Sequence, residues 1–219
     1  MKVSINGNPD SAEAIVDLFA GETFLAESGA MTRMSPSVQI KPRMTGGILS
    51  SLGRKFLGGE SFVMAEYTAK QPGEVGIANT TPGTIIHREL KNESLTLSAG
   101  AFLACSTGVQ LKTRSHGFRQ IFSGSGAFVL DCSGTGDLIL GAFGSIIEKQ
   151  IEGNFTVDTG HVFAWEPTLD YKIRGMGNLK STLLSGEGLV MDFSGRGKIW
   201  VQTRNINGFS HWLVPFCRG

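Results

Sequence analysis

SGAMTRMSPSVQIKPR, residues 28–43, is written again as AGAFLACSTGVQLKTR at residues 99–114 and, with more substitution, as TGHVFAWEPTLDYKIR at residues 159–174. No gap is needed to align the three. The first two copies agree at Gly29/Gly100, Ala30/Ala101, Ser35/Ser106, Val38/Val109, Gln39/Gln110, Lys41/Lys112 and Arg43/Arg114, where average composition gives roughly one chance identity in sixteen positions. The third keeps Gly160, Lys172 and Arg174, and sets Leu169 and Tyr171 where Val38 and Ile40 stand. A chain copied in triplicate implies a structural unit in triplicate.

Two shorter pieces recur around this segment. GESFVM (Gly59–Met64), GSGAFV (Gly124–Val129) and GEGLVM (Gly186–Met191) each precede a glycine-led apolar strand, starting at Gly73, Gly136 and Gly197. The pattern reads as a hairpin whose glycines accept the positive φ of a tight turn. GTIIHREL (Gly83–Leu90) resembles GSIIEKQI (Gly144–Ile151), and both lead into the next sixteen-residue copy. These pieces divide the chain into units 21–82, 83–143 and 144–206, each with room for about five short strands. A tail containing Trp212 and Phe216 follows.

Thirty glycines against seven prolines, with apolar runs of four to six residues, favour many short strands over long helices. The expected class is all-β: three small β-sandwich units, of double-stranded β-helix type, packed with pseudo-threefold symmetry in one compact domain over residues 1–219. No linker composition separates the units. The opening residues, with Val3, Ile5 and the run SAEAIVDLFA, read as strand. In the first copy Val38 and Ile40 alternate with Gln39, Lys41 and Arg43, which puts the apolar pair on the core face and the cations on the wet face.

A formal charge of +1 argues against a general polyanion-binding surface but leaves room for a local basic patch. Cys105, Cys132 and Cys217 are odd in number and far apart, which reads as buried reduced thiols rather than a disulfide framework or zinc site. The first residues carry no basic-then-apolar signal peptide, and no apolar run approaches the ~20 residues of a membrane span. A soluble cytoplasmic protein is expected.

The repeated cations are the first site candidate: Lys41 with Arg43, Lys112 with Arg114, Lys172 with Arg174. Symmetric copies would place them at three related positions, where they could hold phosphate, nucleic acid or acidic lipid; the alternative is a salt-bridged strand face. The second candidate is the closing motif SGEGLVMDFSGRGKIWVQTR, residues 185–204, in which Glu187, Gln202 and Arg204 could form a polar pocket or a structural ion pair. Its second-copy counterpart has Ser125 for the glutamate. A third feature is the amphipathic stretch TGGILSSLGRKFLGG, residues 45–59, whose Ile48, Leu49, Leu52 and Phe56 fall at roughly helical spacing. It reads as a cover over a sheet end or as a contact for a protein partner or membrane surface.

Catalytic patterns are not found. His87, His116, His161 and His211 lack metal-ligand spacing, no GxSxG elbow occurs, and the GxG pairs are not followed by the helix a dinucleotide site needs. No cofactor, metal or catalytic residue is expected. Phe118 among Arg114, His116 and Arg119 is the nearest approach to an aromatic–basic nucleic-acid face, and it is weak. Exposed strand edges need pairing, so a homo-oligomer is expected.

The stretches GETFLAESGAMTRMSPSVQI, RKFLGGESF, GEVGIANTTPG, AGAFLACSTGV, VDTGHVFAW and SGEGLVMDFSGRGKIWVQTR together resemble the altered-inheritance-of-mitochondria (mitochondrial biogenesis) family of β-rich proteins, over nearly the whole chain and in the same order. The resemblance implies a fold like that of the tryptophan RNA-binding attenuation protein, present three times in one chain. It transfers no catalytic residues. Prokaryotic members are mostly stand-alone proteins of unknown function, and yeast members are mitochondrial and implicated in inner-membrane organisation. Arg196 departs from the proline expected in the SGxG turn. The combined reading is a non-catalytic oligomeric scaffold or binding protein, with a small-ligand, RNA or anion binder as the alternative and an enzyme third.

Overall fold

The computed structural model describes residues 1–44, 63–114, 129–175 and 189–217. The amphipathic stretch with Ile48, Leu49, Leu52 and Phe56 lies outside these residues, as does Glu187.

The first third of the chain forms β1 (Lys2–Asn6), β2 (Glu13–Leu18), β3 (Thr23–Glu27), β4 (Met31–Met34), β5 (Val38–Met44), β6 (Val63–Ala69) and β7 (Gly73–Ala78). The second third forms β8 (Ile85–Ser98), β9 (Phe102–Ser106), β10 (Val109–Arg114) and β11 (Val129–Gly141). The last forms β12 (Ile146–Asp158), β13 (Val162–Trp165), β14 (Leu169–Gly175) and β15 (Leu189–Gln202), followed by helix α1 (Ile206–Leu213). The expected unit boundaries at 82/83 and 143/144 fall in the short connections before β8 and β12.

The strands make two open sheets. One has the order β1-β2-β7-β4; the other runs β12-β15-β13-β8-β11-β9-β3-β6-β5, with β10 also on β11 and β14 also on β15. The chain is thus nearly all β, as its glycine-rich, short-run composition predicts. The helix was not foreseen. Asn205 caps it by accepting a hydrogen bond from Gly208 N on its side-chain oxygen, at 2.6 Å, which satisfies one of the orphan amides of a first turn.

The expected hairpins are corrected. Gly136 and Gly197 do not start new strands; they lie inside β11 and β15, each a single strand pairing along nearly all its length with β8 or β12. In the first third the equivalent strand is interrupted after Ala69, and β6 and β7 pair with different neighbours rather than with each other. The break in the first third carries the chain from one sheet to the other, whereas Gly136 and Gly197 are accommodated inside one continuous strand that bends instead of reversing. At Gly134, with φ 117°, the β8 register slips by one residue, which marks such a bend. Locally, a turn and a bend demand the same residue.

Apolar residues fill three buried clusters. Along β2 the alternation is regular: Ala14, Val16 and Leu18 are buried while Glu13, Ile15 and Asp17 are partly exposed, the period that a sheet with one wet face imposes. Val38 is buried as expected, but Ile40 is 45% exposed. Its strand, β5, is the outermost of its sheet.

Cys105 and Cys132 are buried and Cys217 is exposed, which corrects the expectation that all three are sequestered. Burial pushes the Cys105 thiol up to about 12, and the Cys132 thiol up as well. Because the thiolate is the reactive form, alkylation of the native protein at pH 8 is expected to modify Cys217 alone. Denaturation should open the other two; intact-mass measurement before and after reads the difference.

Candidate functional site: the repeated cations and the adjoining cleft

Each copy of the Lys-x-Arg pattern lies on a strand paired with a carboxylate-bearing neighbour, in one register. Lys41 stands opposite Glu66, Lys112 opposite Asp131 and Lys172 opposite Asp192. The arginine two residues on reaches back to the same acid. Arg43 Nη1 donates to Glu66 Oε2 at 2.7 Å. Arg114 Nη2 donates to Asp131 Oδ1 at 2.7 Å, with Nε 2.5 Å from Oδ2. Arg174 Nε donates to Asp192 Oδ2 at 2.5 Å and Nη2 to Oδ1 at 3.2 Å. Arg174 makes the fork-to-fork arrangement that suits guanidinium and carboxylate, whereas Arg114 Nε, though close, makes no hydrogen bond.

The same acids are held from the other side in the second and third copies. Thr96 Oγ1, on a buried polar residue, donates to Asp131 at 3.0 Å, and Thr156 Oγ1 donates to Asp192 at 2.6 Å. Leu25 takes this place opposite Glu66. Threonine, acid and arginine thus brace three adjacent strands. The acid was missed from sequence because it lies far from its arginine along the chain; the signal was present in FVMAE, VLD and VMD, where an acid follows the recurring apolar pair.

In the third copy the arginine lowers its acid's affinity for protons. Asp192 is held below the usual carboxylate range, first by the Arg174 hydrogen bond and then by that of Thr156. A carboxyl whose folded value is depressed adds stability that is present above its unfolded value and fades as pH falls through the folded one. Asp192→Asn should therefore lower the urea midpoint at pH 7 relative to the parent. The difference should shrink as pH drops below about 4, as denaturation curves at several pH values would show.

The six cations are not gathered in one ring of contacts, yet the structure does bring two of them together. A cleft of about 830 Å³ opens between β8, β11 and β14, and its lining includes Thr96, Arg114, Asp131, Trp165, Tyr171 and Lys172. Arg114 comes from the second copy and Lys172 from the third. Of the lining aromatics, Trp165 meets Tyr171 edge-on at a centroid distance of 5.1 Å and also packs edge-on against Phe193 at 5.6 Å. Lys172 is exposed and has no ion pair among the described residues.

The closing motif has a structural use. Gln202 Oε1 accepts from Phe143 N at 3.1 Å and its Nε2 donates to Gly160 O at 3.0 Å, tying the turn before β12 to the turn before β13. Its backbone oxygen accepts from His161 Nδ1 at 2.7 Å, and His161 Nε2 lies 2.8 Å from Asn205 Nδ2 at the helix cap. Arg204 is exposed, and its backbone N–H donates to Phe143 O at 3.3 Å. Among the described residues no three His, Cys, Asp or Glu side chains converge on a metal position, and no helix is long and apolar enough to cross a membrane. Among the described residues, exposed aromatics gather on α1 and the turn after it, where Phe209 packs on Phe143 at 5.6 Å while Trp212 and Phe216 stay 62% and 72% exposed.

Open β sheets braced by a strand-borne Arg–acid pair in each third of the chain define a β-rich protein with no catalytic constellation on view among its described residues. The chain belongs to the mitochondrial biogenesis AIM24 family, whose model matches residues 3–204. It is 30% identical over 210 residues to an uncharacterised protein of Streptococcus pyogenes serotype M6, covering 92% of this chain and 85% of that one. A crystal structure of a protein from Streptococcus pyogenes superposes with a TM-score of 0.83 at 30% identity, covering 98% of this chain and 99% of that chain.

Proposed function

We propose that the chain is a non-catalytic scaffold made of three copies of one four-strand unit, and that it works as a homo-oligomer in the cytoplasm. The observation that carries this reading is the pairing pattern. Each third of the chain joins a long or interrupted first strand to its last strand and braces that last strand with the Lys–acid–Arg register. The outer strands β4 and β12 each have one partner among the described residues. Open edges of this kind need cover, and a further copy supplies it. Native mass spectrometry together with light scattering across the micromolar range tests the proposal: a defined multiple of 23.4 kDa is expected, and a monomer throughout would overturn it.

A second reading, a binder of small anionic ligands, is favoured by the cleft, whose lining includes both Arg114 and Lys172, the latter with no ion pair among the described residues. The native spectrum also reads this, as a retained small mass that Lys172→Ala should release.

A further inference from the structure

Within the chain, one third joins the next by a strand seam, and it does so twice in one register. β9 pairs with β3 through Ala104↔Ala26 and Cys105↔Leu25. β13 pairs with β8 through Ala164↔Leu97 and Trp165↔Thr96. Counted from the start of the sixteen-residue copies at Ser28, Ala99 and Thr159, both seams join the fifth residue after one start to the second residue before the preceding one. The next residue pairs likewise.

Applied once more, the rule joins β4 to the second half of β12, with Arg33 opposite Val157 and Met34 opposite Thr156. That seam is not made within the chain: β4 pairs with β7 alone and β12 with β15 alone among the described residues. Burial agrees. Phe102 to Cys105 and Val162 to Trp165 are all buried in their seams, whereas Met31, Thr32 and Arg33 are exposed, and so are Asn154 and Thr156 on the opposite edge. Both halves of a seam are built and left apart.

We infer that β4 of one copy pairs antiparallel with the second half of β12 of another, with Met34 opposite Thr156, and that this head-to-tail contact is the oligomer interface. The inference rests on the assembly reading above and names its surface. The occupant is a second copy because the contact continues a seam that this chain already makes with itself, at the same offset. An edge strand offers a row of unpaired N–H and C=O groups that only another backbone can match. The interface is heterologous, so repetition closes a ring or runs on as a filament.

The test is disulfide trapping in a Cys217→Ser background. Met34→Cys and Thr156→Cys proteins, purified separately and mixed under mild oxidation, should give one covalent heterodimer that neither gives alone. The Met34→Cys/Thr156→Cys double variant should give a ladder of multiples of the chain mass. Met34→Cys mixed with Phe155→Cys should give none, since a one-residue shift turns the side chain to the other face. Native mass spectrometry of the unsubstituted protein separates the failures. A monomer overturns the assembly reading and this inference together; an oligomer without the 34–156 bond overturns this inference alone and moves the interface elsewhere, with the aromatic face of α1 next to be mapped.

Discussion

Trp165→Ala is expected to lower stability by about 4 kcal/mol, within the range for emptying a buried large aromatic site. Trp165 is 1% exposed and is among the largest fully buried side chains. Its ring meets Tyr171 and Phe193 in edge-on geometry, which adds roughly 0.5–1.5 kcal/mol per pair beyond the area buried. Its backbone also sits in the seam, opposite Thr96 on β8 and Ile199 on β15. The loss therefore falls where two thirds of the molecule meet. For a chain of this size the melting temperature should drop by roughly 8–16 °C, as scanning calorimetry would show. Trp165→Phe should keep most of the ring contacts and lose less than half as much. Equal losses for the two would show that the site does not depend on its aromatic packing.

The second large effect is expected at Gly83. A Cβ built there would lie 2.2 Å from Ala142 O, 2.5 Å from Gly144 N and 2.7 Å from Gly144 O, all backbone atoms, at φ 159°. None of these can rotate aside as a side-chain tip would. Gly83 also bridges to Gly144, and its carbonyl accepts from Ala12 N at 3.1 Å, so displacing it disturbs the ladder ends of two units at once. Backbone strain and overpacking each cost on the order of 1–3 kcal/mol, and Gly83→Ala is expected to lose about 3 kcal/mol. Two comparisons isolate the cause. Gly21→Ala has positive φ but nothing within 4 Å, and should lose about 1 kcal/mol; Gly100→Ala has neither feature and should be near neutral. Urea denaturation of the three variants gives the order, and a Gly83→Ala loss no greater than that of Gly21→Ala would refute the steric account.

The site was legible in half. Lys41, Arg43 and their counterparts were visible because identical residues recur at identical spacing, and their strand setting followed from alternation with Val38 or Leu169. That each arginine is spent on Glu66, Asp131 or Asp192 was not visible, because antiparallel pairing joins residues 17 to 23 positions apart and nothing local announces the register. Asp158 and His161 show the reverse. They are close in sequence, but Asp158 accepts from Gly160 N at 2.8 Å while His161 turns to Gln202 and Asn205. Neighbours along a strand point to opposite faces, and a turn redirects them again.

From residues alone came the β class, the threefold recurrence and the strand identity of the Lys-x-Arg segments, since periodicity and composition are properties of the chain itself. Only the tertiary structure decided that Gly136 and Gly197 lie inside continuous strands rather than in hairpins, that the tail forms a helix, and that β4 and β12 each have a single strand partner among the described residues. Each of these depends on which distant backbone lies alongside. A glycine permits both a turn and a bend, and a strand carries the same hydrogen-bonding groups whether or not a partner has arrived.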